Sequence, residues 1–318
     1  MKSVLGSLVL LFSTHFCLAD QGDVTMLFPQ GNREVAERYA NFERSNLGCQ
    51  TTSDGPRVLL TGFGLFDSHS YNISGAVIEN LSSSSFWPDA LDSANGVLPE
   101  AHVPFKTGVL SQVDRGARIY NRQILMRGRY ISVCLIIADV LWDFAGAVFV
   151  HEMERFQPQI MIMSGIGDGS LEAGAINHAL AMPGFAPNGQ IDQLNTPQSL
   201  KILPDVPLDS TVNMSWDNLA LEKLVAPKVR AIGFTLSAPT AAQPSNDYIC
   251  NNVSYLVIQA AAHRALTLAG GELLLKPKIK SNPKIGFFHY PAEASLEQAP
   301  EWAQILLTLV DGSLQYAD

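Results

Sequence analysis

Apolar residues along this chain fall into two rhythms. Uninterrupted runs recur at Val58-Leu59-Leu60, 133–137, 160–163, 231–234 and 285–288, the form a strand takes when both of its faces are covered. Between them, apolar positions repeat at helical spacing. Asn32 can cap a helix that places Val35, Tyr39 and Phe42 on one face, with Gly48 as its stop. Asp143 can cap a second that runs to about Phe156 and stops before Pro158, and residues 252–268, rich in Ala and Leu, predict a third. Strands alternating with helices predict an α/β layered fold with a largely parallel twisted sheet. Ligands then gather beyond the carboxyl ends of the strands, here the loops after Leu60, Met163 and Phe288.

The N-terminus breaks both rhythms. Lys2 precedes an apolar run over residues 4–12, and Cys17-Leu18-Ala19 offers a small-x-small cleavage signal before Asp20. Residues 1–19 therefore read as a signal peptide, because the run is shorter than the ~20 residues a membrane-spanning helix needs. Export to a periplasmic or secreted location is the expectation. Residues 20–56 read as an N-terminal helical extension and 57–318 as one α/β domain. The formal net charge of -9 leaves no basic footprint for nucleic acid or anionic lipid. No later stretch is apolar enough to span a bilayer, and a homo-oligomer stays open.

Without the signal peptide three cysteines remain, Cys49, Cys134 and Cys250. An odd number in an oxidising compartment marks one as a candidate reactive thiol. We expect Cys49 to pair with Cys134, both lying outside the candidate site. Cys250 follows a polar turn and precedes a helical stretch, where the positive end of the helix dipole favours a thiolate. His289 ends the run 285–288 and would project from the carboxyl end of a buried strand, a placement suited to a general base. Glu172 follows the glycine-rich loop Ser164-Gly165-Ile166-Gly167-Asp168-Gly169-Ser170-Leu171, with Asp168 as the competing carboxylate. The glycine spacing is not that of a dinucleotide fingerprint.

Read together, these segments carry a family resemblance. Thr61-Gly62-Phe63-Gly64-Leu65-Phe66 resembles the TGFxPF loop of the pyroglutamyl peptidase I family, and Asn72 stands where that family has the asparagine of its NPS motif. Ala175-Ile176-Asn177 matches its AIN, with Glu172 three residues earlier. Tyr248-Ile249-Cys250-Asn251 resembles the segment around its nucleophile, and Gly286-Phe287-Phe288-His289-Tyr290-Pro291 its GFxHxP segment. The resemblance spans residues 57–291 with the motifs in the family's order.

What it implies is a three-layer α/β/α sandwich with a Cys250-His289-Glu172 triad, no cofactor and no metal. The implied activity is hydrolysis of N-terminal pyroglutamate from peptides. Phe63 and Phe66 would sandwich the lactam ring, and Asn72 and Ile166 would line the pocket. The chain departs from the pattern in its glycine loop, where the family's GQAGGR reads Gly165-Ile166-Gly167-Asp168-Gly169-Ser170 and so lacks its arginine. No arginine occurs between Arg155 and Arg230. The rival expectations are a thiol amidase of different specificity and a catalytically silent binding protein on the same fold. About a hundred residues exceed the family's usual length, in the N-terminal extension, in residues 103–135 and in 276–284.

Overall fold

The computed structural model describes residues 29–45, 48–64, 71–83, 101–103, 116–126, 128–181, 198–243 and 248–315. The signal-like segment 1–19 and Phe66 lie outside these residues. At the centre is a sheet with strand order β2-β3-β4-β1-β5-β13-β6. Four adjacent strands run parallel: β4 (Arg129–Ala138), β1 (Arg57–Phe63), β5 (Ile160–Gly167) and β13 (Lys284–Pro291). The flanks are antiparallel, with β2 (Ala101–Val103) and β3 (Ala117–Met126) on one side and the two-residue β6 (Ser170–Leu171) on the other. Outside this sheet β7 (Gly174–Ile176) pairs with β10 (Thr211–Asn213), and β8 (His178–Ala181) with β9 (Gln198–Lys201).

Helices cover both faces in two packed groups. One group holds α2 (Ile73–Ser82), α4 (Asn218–Ala231) and α6 (Ala299–Gln315). The other holds α1 (Pro29–Arg44), α3 (Phe144–Phe156) and α5 (Ile249–Ala261). This is the expected α/β/α sandwich. Val58, Leu59 and Leu60 have no solvent exposure, and each contributes roughly 1.5–3 kcal/mol by leaving water. Having both faces covered is why β1 reads as continuous apolar sequence rather than as an alternation.

Four sequence expectations need correction. Residues 231–234 form no strand: Ala231 ends α4, and the chain turns at Gly233 with φ +91°. The helix after Cys250 ends at Ala261, the chain passes through His263 at φ +60°, and residues Leu266–Leu268 form β11, paired with β12 (Leu273–Leu275). Asp143 stands at the start of α3 but does not cap it. Its carboxylate instead accepts from Asn252 Nδ2 at 3.1 Å and Ala269 N at 2.6 Å, joining three segments. The first helix begins at Pro29, ahead of Asn32, and runs to Arg44.

The N-terminal arm is tied to the body by a covalent link and by hydrogen bonds. Cys49 forms a disulfide with Cys134 of β4, with Cα atoms 5.4 Å apart, as expected. The Cys49 amide also donates to Glu152 Oε2 of α3 at 2.6 Å.

Candidate active site

Three parallel strands deliver their carboxyl ends side by side. β1 ends at Phe63, β5 runs out through Gly165, Ile166 and Gly167, and β13 brings His289 opposite Gly165 in register. The chain then reverses after Gly169, at φ +76°, into β6, which pairs antiparallel with β13 and sets Ser170 opposite His289. Glu172 follows at once, its amide bonded to Phe287 O at 3.0 Å. A two-residue strand thus carries the carboxylate from the glycine loop to the side of the imidazole.

The bond that results decides between the two candidate carboxylates. His289 Nδ1–H donates to Glu172 Oε1 at 2.8 Å, and Ser170 Oγ donates to the same oxygen at 2.8 Å. The Trp216 indole N–H holds the Glu172 carbonyl at 3.1 Å. Glu172 Oε2 is buried with no partner among the described residues. Asp168 is exposed at the loop tip. One donor atom each from Asp168, Glu172 and His289 lie within 4.8 Å of one another, the one such cluster of three among the described residues that could hold a cation.

Cys250 approaches from the helical layer. It occupies the first turn of α5, just after the N-cap Tyr248, and is buried and unpaired with any cysteine. Its thiol and the His289 ring line the same cavity and act on each other electrostatically. Burial works against a charged imidazole. The pull of Cys250, followed by that of the Glu172 carboxylate, outweighs it and pushes His289 up to about 10. A charged imidazole braced by a carboxylate beside the cysteine follows from that balance.

The glycines explain how these groups fit. A Cβ on Gly165 would stand 2.6 Å from Cys250 Sγ, and one on Gly167 would stand 2.7 Å from the His289 ring. These glycines serve clearance rather than phosphate binding. Asn251 staples the AIN segment to the nucleophile helix: its Oδ1 accepts from Ile176 N at 3.0 Å and its Nδ2 donates to Ile176 O at 2.8 Å. Asn177 bonds four backbone groups of residues 203–207 and is likewise structural.

A cavity of about 770 Å³ opens over this group and includes Cys250, His289, Glu172, Phe63, Asn72 and Ile166 in its lining. The structure therefore brings together every described residue expected at the site. Phe63 packs against Phe149 with ring centroids 6.0 Å apart. Asn72 caps α2, accepting from Ser74 N at 3.1 Å, while its side chain borders the cavity.

Sequence reasoning missed Ser170 and Trp216, both of which hold Glu172. Ser170 was visible only as the place of a missing arginine. Trp216 gave no local signal, since its ring fits because Gly286 lacks a Cβ, which would meet it at 2.0 Å.

No family model and no curated protein matches the chain. Solved structures do. A single-site variant of pyrrolidone carboxyl peptidase from the hyperthermophile Pyrococcus furiosus superposes with a TM-score of 0.50 at 17% identity, over 82% of this chain and 99% of that one. The fold is shared. Pyroglutamyl peptidase I from Bacillus amyloliquefaciens is similar to a comparable degree, with a TM-score of 0.49 at 16% identity, over 83% of this chain and 99% of that one.

Proposed function

We propose that the protein is a cysteine peptidase that hydrolyses pyroglutamate from the N-termini of peptides. The observation that carries this reading is His289 held between the Glu172 carboxylate and the Cys250 thiol on the wall of a cavity bordered by Phe63. Cys250 Sγ attacks the pyroglutamyl carbonyl, the C–N bond breaks, and the leaving amine takes its proton from His289 Nε2. Water then gives a proton to His289 and its oxygen to the thioester, which releases pyroglutamate and restores the thiol. Glu172 keeps the ring oriented and its charged form stabilised. The amides of the first turn of α5, which carries Cys250, are the donors this reading assigns to the oxyanion. The disulfide supports an exported, oxidising location, and intact-mass analysis of exported protein should find a chain starting at or near Asp20.

Turnover of a pyroglutamyl fluorogenic amide tests the reading. Cys250→Ser and His289→Ala should each lower kcat by ~10³-fold or more, and Glu172→Gln by ~10–100-fold, without loss of the folded state. Full activity in Cys250→Ala would overturn it. A second reading, a thiol amidase of other specificity, draws support from the cavity lining, which contains no arginine among the described residues. Proline and alanine amides in the same assay separate the two, and silence toward all three supports a binding protein instead.

A further inference from the structure

The glycine loop carries a charge that the proposed chemistry does not use. Asp168 borders the catalytic cavity, is exposed, and brings a carboxylate oxygen within 4.8 Å of donor atoms of Glu172 and His289. Glu172 is already bound to His289 Nδ1 and Ser170, so Asp168 is not needed to orient the ring. Among the described residues no ion pair ties Asp168 up, and no lysine or arginine lines the cavity. The cavity rim therefore carries a carboxylate with no lysine or arginine partner among the described residues, within 4.8 Å of His289 and on the same cavity as Cys250. The walls of a cleft focus the field of a charge at its rim.

We infer that Asp168 is a specificity-determining residue that selects substrates with a cationic group next to the scissile bond. This rests on the peptidase reading for the identity of the substrate. A pyroglutamyl ring has no ammonium group, so the cation that Asp168 meets belongs to the leaving side, on a lysine or arginine directly after the pyroglutamate. Acidic residues at that position are repelled.

Two measurements test this, and only one needs turnover. With Cys49 and Cys134 joined, Cys250 is the free thiol among the described residues. Its modification rate by 2-aminoethyl and by 2-sulfonatoethyl methanethiosulfonate reads the field at the sulfur directly. The cationic reagent should react at least ~10-fold faster than the anionic one, beyond their ratio on a free thiol. Asp168→Asn should bring the ratio most of the way down, and Asp168→Lys should invert it. In the second arm, kcat/KM for pyroglutamyl-lysine amide over pyroglutamyl-glutamate amide should follow the same order across the three proteins. A ratio unmoved by either substitution in the reagent arm overturns the assignment of Asp168, whatever the peptides do. Shifted reagent ratios with no cleavage of any pyroglutamyl amide overturn the peptidase reading and leave the charge selection standing. Shifted reagent ratios with equal cleavage of both peptides overturn the leaving-side preference alone.

Discussion

At Gly165 the chemistry depends on an atom that is missing. The nucleophile helix leaves only 2.6 Å between a would-be Cβ and Cys250 Sγ, and at Gly167 the crowding falls on the His289 ring. Both contacts are far inside van der Waals distance, and β5 is held at these positions by its pairing with β13, which runs through Gly167. Gly165→Ala should therefore displace the sulfur, lowering the Cys250 alkylation rate and peptidase turnover by ~100-fold, because misplacing reacting atoms by about 1 Å costs on that order. Circular dichroism should show the fold retained. An unchanged alkylation rate would mean the sulfur sits elsewhere.

Elements tell where sequence reading succeeds and where it fails. Strands β1, β4, β5 and β13 were legible because burial on both faces leaves continuous apolar runs. Cys250, His289 and Glu172 were candidates through the family resemblance of their segments more than through local pattern, and the structure sets all three around one cavity. The missed strand β3 follows no period of two, since Asn121-Arg122-Gln123 interrupt its apolar residues, and its Asn121 bonds Gln50 N and Gly48 O of the N-terminal arm, a role no local pattern announces. Residues 231–234 failed for the opposite reason. They are apolar enough for a strand, but Phe234 instead packs on Trp302 of α6 with centroids 5.4 Å apart.

Helix α3 carries a testable titration. Glu152 has no solvent exposure, and burial pushes its carboxyl up to about 7 against the opposing Cys49 amide hydrogen bond and Arg155 charge. A folded-state value raised above the unfolded one means its contribution to stability is fully present below about pH 4.5 and is lost as pH rises through about 7. Glu152→Gln keeps an acceptor for Cys49 N–H without the buried charge. The variant should gain stability relative to wild type between pH 5 and pH 8, by ~2 kcal/mol. Urea melts at the two pH values check this, and a gap independent of pH would exclude titration of Glu152 as the cause.

Taken as a whole, the molecule closes its N-terminal arm onto the sheet with a single covalent link spanning 85 residues. A loop of that length lowers unfolded-chain entropy enough to stabilise the fold by ~4 kcal/mol. Calorimetry with and without a phosphine reductant should find the reduced form melting lower by ~10 °C, since ~1 kcal/mol moves Tm by ~2–4 °C in a protein of this size. Catalytic turnover at moderate temperature should survive, because neither bridged cysteine lines the cavity.

The same bridge has a stoichiometric consequence. Of the four cysteines in the chain, two are consumed in it, and the others are Cys250 and Cys17. Under the proposed removal of residues 1–19, a native-state thiol titration should take up one equivalent per chain, at Cys250. A second equivalent should report chains that retain Cys17, so one colorimetric assay would read both the proposed nucleophile and the proposed processing.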